Sequence, residues 1–144
     1  MKKFFSVILI ISIVLTGLVG CSKDTDLAYS KENPKFVNKK VKAFMDMCDD
    51  KNGVYFYTAS KDVRYLFLNG ATVKYGDKAP YFSDIKIEVK ENTLVINFNE
   101  NYTDDYENKK IDYSVLYKIK VPKGIEFITI YKNGQQTHID NSVV

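Results

Sequence analysis

Ile111-Asp-Tyr-Ser-Val-Leu-Tyr-Lys-Ile-Lys-Val121 carries Ile111, Tyr113, Val115, Tyr117, Ile119 and Val121 at every second position across eleven residues. Successive side chains of an extended strand point to opposite faces, so this period collects six apolar or aromatic groups on one face. Asp112, Ser114, Lys118 and Lys120 fall mostly on the other. A helix would scatter the same residues around its axis. The chain is therefore read outward from here as a β protein.

Upstream, Asn99 to Lys110 (NENYTDDYENKK) is a polar interruption. Before it, Leu94, Ile96 and Phe98 alternate in Thr93 to Phe98, Glu91-Asn92 forms a turn, and Ile85, Ile87 and Val89 alternate with Lys86, Glu88 and Lys90. Gly76 to Pro80 breaks the pattern as a loop. Earlier still, Val54 to Thr58 is a short aromatic strand. Val63 to Leu68, apolar on both faces apart from Arg64, reads as a central strand. Asn69-Gly70, a dipeptide suited to a type I′ turn, joins it to a strand over Ala71 to Tyr75. Downstream, Pro122-Lys123-Gly124 stops the strand, Ile125 to Tyr131 forms another, and Asn133-Gly134 marks a hairpin to Thr137-His138-Ile139. Seven or eight short strands at such intervals predict a mainly β domain, an antiparallel β-sandwich or small partly open barrel. Phe67, Ile87, Ile96, Val115, Tyr117 and Ile119 are its expected core.

One short N-terminal helix precedes the strands. Asn33-Pro34 reads as an N-cap with proline at the first helical position. Val37, Val41, Phe44, Met45 and Cys48 form one stripe at helical spacing, and Asn52-Gly53 is the expected C-cap. A strand is the rival, since Val41, Ala43, Met45 and Met47 also alternate; the caps and the longer stripe favour the helix.

The first twenty residues differ in kind. Lys2 and Lys3 precede a run from Phe4 to Val19 without a charge, shorter than a spanning helix needs and weakened by Gly17 and Gly20. The run ends in Leu18-Val19-Gly20-Cys21, which resembles the lipobox of bacterial lipoproteins. The resemblance implies a signal peptide over residues 1–20, cleavage before Cys21, and a lipid on the Cys21 thiol. It places the protein at a cell membrane, lipid-anchored on the outer face of a bacterial cytoplasmic membrane of Gram-positive type. Residues 21–33, polar and without a period that buries a face, then read as a flexible tether, and 34–144 as a single β-rich domain.

Charge and thiol content limit the functions open to this domain. Two of the 21 basic residues, Lys2 and Lys3, lie in the first twenty positions, leaving 19 basic against 18 acidic residues. That balance gives no electrostatic ground for a nucleic-acid partner. With Cys21 lipidated, Cys48 has no thiol to pair with. Cys48 and His138 are the only other soft or imidazole side chains, and no flanking signature brings them together, so a buried inert thiol and a surface histidine are expected. No zinc motif, phosphate loop or nucleophile elbow occurs, so neither a cofactor nor a catalytic centre is expected.

Two stretches remain as candidate sites. Asn99, Asn101, Tyr102, Asp104, Asp105 and Glu107, with Asn97 beside them, make an oxygen-rich stretch suited to a partner or to weak calcium binding. It lacks the mid-loop glycine and closing glutamate of an EF-hand. Tyr55 and Tyr57 share one face of their strand and are a candidate aromatic contact face, the alternative being that they fill a two-sided sheet.

Tyr65-Leu-Phe-Leu, the hairpin Ile85-Lys-Ile-Glu-Val-Lys-Glu-Asn-Thr-Leu-Val, Tyr117-Lys-Ile-Lys-Val-Pro-Lys and Asn133-Gly134 together resemble the C-terminal domain of PrcB-type protease-complex subunits. The likeness spans Tyr65 to Gly134, with Gly76 to Phe82 replacing the Gly-Gly-Tyr usual in that family. It implies a small all-β domain that associates with a protease. The expected function is that of a surface-anchored binding module acting by protein contact in the envelope, protease-associated or inhibitory. The alternative is a lipoprotein that binds a small ligand or calcium.

Overall fold

Val63–Asn69 forms strand β3 at the centre of a five-stranded sheet, as its two apolar faces require. In the computed structural model, which describes residues 26–143, this sheet has the order β1-β6-β3-β2-β9, with β1 Ala28–Glu32, β2 Gly53–Thr58, β6 Ser114–Lys120 and β9 Asn141–Val143. A four-stranded sheet, β4-β5-β7-β8, packs against it, with β4 Ala79–Lys90, β5 Thr93–Thr103, β7 Phe127–Lys132 and β8 Gln135–Thr137. The predicted mainly β sandwich is thus the observed architecture, and the sheets do not close into a barrel. They are mixed rather than purely antiparallel. The chain leaves β5, crosses to β6 in the other sheet, and returns at the end where β5 began, so β7 runs parallel to β5; β9 likewise runs parallel to β2.

Two apolar clusters flank the five-stranded sheet. Between the sheets lie Phe56, Leu66, Leu68, Ile87, Ile96 and Ile119, joined by Phe98, whose ring meets that of Phe82 edge-on at 5.8 Å. On the outer face, Val41, Phe44 and Cys48 of the helical segment cover Tyr55, Tyr65, Phe67 and Leu116. Of the predicted core, Phe67, Ile87, Ile96, Val115 and Ile119 are buried and Tyr117 is half-buried. Leu116 is 0% exposed on the face expected to be polar, because the helix occupies that face.

The helix is shorter than its stripe. Asn33 caps only a 3-10 turn, Pro34–Phe36. Asn38 then starts α1, Lys39–Asp46, accepting bonds from the Lys40 and Val41 amides at 3.0 Å each. The second cap wins because Val37 is extended, with φ −78° and ψ 160°. The helix stops at Asp46 with Met47 as C-cap, and Gly53 opens β2 instead of closing a helix.

Three other expectations are corrected. Residues 28–32, placed in the tether, form β1 against β6, with Ala28 opposite Lys120 and Glu32 opposite Leu116. Four of these five residues are exposed. An edge strand held by backbone bonds needs no apolar face, so composition does not reveal it. Asn69-Gly70 is not a hairpin turn: β3 pairs with β2 and β6, and residues 70–78 contain no strand. β4 begins at Ala79 rather than Ile85, bending at a bulge between Ser83 and Lys86 where Asp84 adopts φ 52°. By contrast, Asn133-Gly134 is the expected two-residue hairpin turn, with φ 52° and 76°, joining β7 to β8.

Candidate functional site

The loops leaving β3 after Asn69 and entering β6 before Ser114 meet at one end of the sandwich, and tyrosines hold them together. Tyr106 Oη donates to the carbonyl of Asp77, and Tyr113 Oη donates to the carbonyl of Asp105 at 2.6 Å. The Gly70 amide donates to the Tyr113 carbonyl at 2.8 Å. Desolvation, with Asp105 nearby, pushes the Tyr113 phenol above its ordinary range.

These loops shape open grooves. One of about 570 Å³ is lined by Val73, Lys74, Tyr75, Gly76 and Tyr106. A second, about 270 Å³, is lined by Ala71, Val73, Ala79, Tyr106 and Tyr113, so the Tyr106 ring borders both. Across the 72–78 segment a more polar groove of about 450 Å³ includes Asp50, Lys51, Asp77, Lys78, Glu100 and Tyr102. Tyr75 is fully exposed, Tyr102 58% and Tyr106 49% exposed, three aromatic rings facing water at one end. Such rings offer large contact area at low entropic cost, whereas single exposed apolar residues are ordinary.

The structure redistributes the oxygen-rich stretch. β5 runs on to Thr103, so Asn99, Asn101 and Tyr102 are strand residues and only Asp104, Asp105 and Glu107 lie in the loop. Asn99 Nδ2 donates to Asp84 Oδ2 at 2.9 Å and Asn101 Nδ2 to Ser83 Oγ at 3.0 Å, so both amides brace the β4 bulge. Among the described residues no group of three or more His, Cys, Asp or Glu side chains is arranged to hold a metal ion.

Tyr55 and Tyr57 do not form a contact face. Tyr55 is 6% exposed, its hydroxyl donating to the Lys51 carbonyl at 2.9 Å, and Tyr57 stacks on Phe44 with centroids 5.3 Å apart. Helix α1 covers the face they share. Cys48 is buried in that cluster, and burial, then Asp50 and Asp49, pushes its thiol pKa up. His138 is exposed, with Nε2 at 3.3 Å from Asp140 Oδ1, while Asp140 Oδ2 accepts the Val54 amide at 2.7 Å. The stretch Leu18 to Cys21, expected to be a lipobox, lies outside the described residues. Among those described, no helix is long and apolar enough to cross a membrane.

Tyr102, Asp104, Asp105 and Glu107, singled out from the sequence, lie at this loop end, and Tyr75 and Val73 beside them were not singled out. The alternation of Ala71, Val73 and Tyr75 mimics a strand; the adjacent Gly76, at φ 90°, was the available signal for a loop. Comparison of the chain with protein-family models, curated proteins and solved structures finds no match.

Proposed function

We propose that this protein is a lipid-anchored binding module of a bacterial cell surface, acting by contact with another envelope protein and without catalytic turnover. The observation that carries the reading is the loop end, where Tyr75 and Tyr106 border one groove and the Tyr106 and Tyr113 hydroxyls bond to the loop carbonyls of Asp77 and Asp105. A contact surface gains from loops tied in place before the partner arrives, since less entropy is lost on binding. Anchorage rests on the lipobox, Leu18-Val19-Gly20-Cys21. The likeness of Tyr65 to Gly134 to PrcB-type subunits supports a protease complex as the class of partner, with inhibition or assembly as the consequence.

Crosslinking on intact cells, followed by identification of the adduct, tests the contact. A defined envelope-protein adduct is expected, and Cys21→Ser should leave an unprocessed, unlipidated precursor. A Cys21→Ser product of mature size that still partitions into detergent would refute the anchor.

A further inference from the structure

The dipeptide Asn-Gly occurs three times, as Asn52-Gly53, Asn69-Gly70 and Asn133-Gly134. With no Cβ to hinder its approach, a glycine amide nitrogen can close on the carboxamide carbon of the asparagine before it. That reaction needs a glycine nitrogen free of hydrogen bonds and room for the ring it forms. The fold treats the three pairs unequally on both counts.

At Gly70 neither condition is met. Its amide donates to the Tyr113 carbonyl at 2.8 Å, and a Cβ there would meet the Pro80 and Tyr113 carbonyl oxygens at 2.5 and 2.7 Å. The Asn69 carboxamide is buried and bonded through both its oxygen and its nitrogen. Gly53 is held as well. Val54 turns its amide and carbonyl to Asp140, at 2.7 and 2.8 Å, so Gly53, one residue earlier, turns its own to its partner Asn69 in β3. The space beside it is taken by Asp140 Oδ2, 2.7 Å from where a Cβ would lie. The Asn52 carboxamide, although exposed, is clamped on Thr72, donating to its carbonyl at 2.7 Å and accepting its amide at 2.8 Å.

Gly134 is open on both counts. It lies in the two-residue turn between Lys132 and Gln135, its amide meets no acceptor among the described residues, and no atom lies within 4 Å of a Cβ built there. Asn133 is exposed, and its Nδ2 donates to the Glu100 carbonyl at a longer 3.2 Å. Its Oδ1 accepts the Glu100 amide at 2.8 Å, a donor placed on the oxygen that gains charge when the carboxamide carbon is attacked. Only the β7–β8 hairpin, whose second strand has three residues paired with β7 alone, has to yield for the turn to reach the ring geometry.

We propose that Asn133 is a site of spontaneous deamidation, the one Asn-Gly of the three that reacts in the folded protein. Hydroxide takes the Gly134 amide proton and the nitrogen attacks Asn133 Cγ. The Cγ–Nδ2 bond then breaks and ammonia leaves, Nδ2 taking its third hydrogen from water. Addition of water at either carbonyl opens the succinimide ring, leaving aspartate or isoaspartate at position 133. Aspartate still accepts the Glu100 amide, but it loses the donor to the Glu100 carbonyl and adds a negative charge beside the Glu100–Lys132 ion pair. Isoaspartate lengthens the main chain by one atom, for which a two-residue turn has no place, so β8 loses its register on β7.

The test holds the purified full chain in mildly alkaline buffer, folded and in denaturant, and follows the three sites by mass spectrometry of proteolytic peptides. In the folded chain Asn133 should convert more than about tenfold faster than Asn52 or Asn69, which react only through opening of the fold, and denaturant should bring the three rates together. Both aspartate and isoaspartate are expected at position 133. Conversion of Asn52 or Asn69 as fast as Asn133 in the folded chain overturns the proposal, as does a difference that persists in denaturant. A folded Asn133 that stays intact while the denatured chain converts overturns it too, and aspartate without isoaspartate would rule out attack by Gly134.

Discussion

Asn69 Oδ1 accepts a hydrogen bond from Ser114 Oγ at 2.8 Å, although Asn69 is only 2% exposed. The same oxygen accepts the Ala71 amide at 3.0 Å, and Nδ2 donates to the carbonyls of Lys51 at 2.9 Å and Cys48 at 3.1 Å. One carboxamide thus ties the segment after α1, the end of β3 and the start of β6. Each buried group left without a partner costs about 1–3 kcal/mol, so Asn69→Ala should destabilise the fold by at least about 2 kcal/mol. The denaturant midpoint should fall at unchanged slope. Asn69→Asp keeps the acceptor and loses both donors, so it should not rescue. A midpoint for either variant within error of the parent would show the network to be idle.

Gly70 is required for space. A Cβ there would lie 2.5 Å from the Pro80 carbonyl oxygen and 2.7 Å from that of Tyr113, both backbone atoms that cannot swing aside. Gly70→Ala should therefore cost about 2 kcal/mol or more, by pushing apart the loop end and the start of β4. At Gly134 the same change meets no atom within 4 Å but faces φ 76°, a left-handed conformation worth about 1–2 kcal/mol. Thermal unfolding of the pair should rank Gly70→Ala as the more damaging; the reverse order would mean that the β3–β4 connection yields easily.

The buried Cys48 thiol sets a pH dependence. Burial raises its pKa in the folded state above the ordinary thiol value, and Asp50 and Asp49 add to that. The unfolded chain then releases the proton first as pH rises. The stability this group contributes is complete below the ordinary thiol pKa and is lost as pH rises through the raised folded value. Tyr55 and Tyr65, raised by burial too, extend the same slope further into alkali. Denaturant midpoints taken from neutral to alkaline pH should fall, and less steeply in Cys48→Ala. Alkylation of Cys48 should track global unfolding, whereas a native thiol reacting as fast as in the denatured chain would contradict the packing.

Alternation in Ile85 to Val89, Thr93 to Phe98 and Val115 to Val121, together with the two-sided apolar run Val63 to Leu68, made the sandwich legible, because side-chain period and burial are one constraint. The Asn133-Gly134 turn was legible for a local reason, positive φ at both positions. What escaped depended on distant partners. β1 is recorded in backbone bonds to β6, which carry no residue preference. Asn69-Gly70 has the composition of a turn, yet Asn69 acts through Ser114, 45 positions away, and Gly70 through Pro80 and Tyr113. Tyr55 and Tyr57 looked like a surface because nothing in their own strand says that α1 lies on it. The acidic residues of the loop end could be found by composition, while Tyr75 was hidden by an accidental alternation.

If the protein acts by contact through the loop end, Tyr75 and Tyr106 should carry the capture of its partner. Tyr75 is fully exposed, so Tyr75→Ala removes a ring without disturbing the fold. Tyr106 also anchors its loop through the Asp77 carbonyl, so Tyr106→Ala mixes loss of ring with loss of loop position. Tyr106→Phe separates these, keeping the ring and deleting the donor. An anchoring aromatic at an interface contributes about 2 kcal/mol or more, about thirtyfold in affinity, and crosslinked adduct should fall accordingly in Tyr75→Ala and in the double alanine variant. Tyr106→Phe should capture partner better than Tyr106→Ala if the ring makes the contact. Cys48→Ala and His138→Ala, one thiol buried under α1 and one imidazole exposed beside Asp140, should leave capture unchanged. Loss of the cellular phenotype in His138→Ala, in a protein that still folds and reaches the membrane, would overturn a mechanism based on contact alone. Unchanged adduct in the double Tyr75→Ala, Tyr106→Ala variant would move the contact surface off this end of the sandwich.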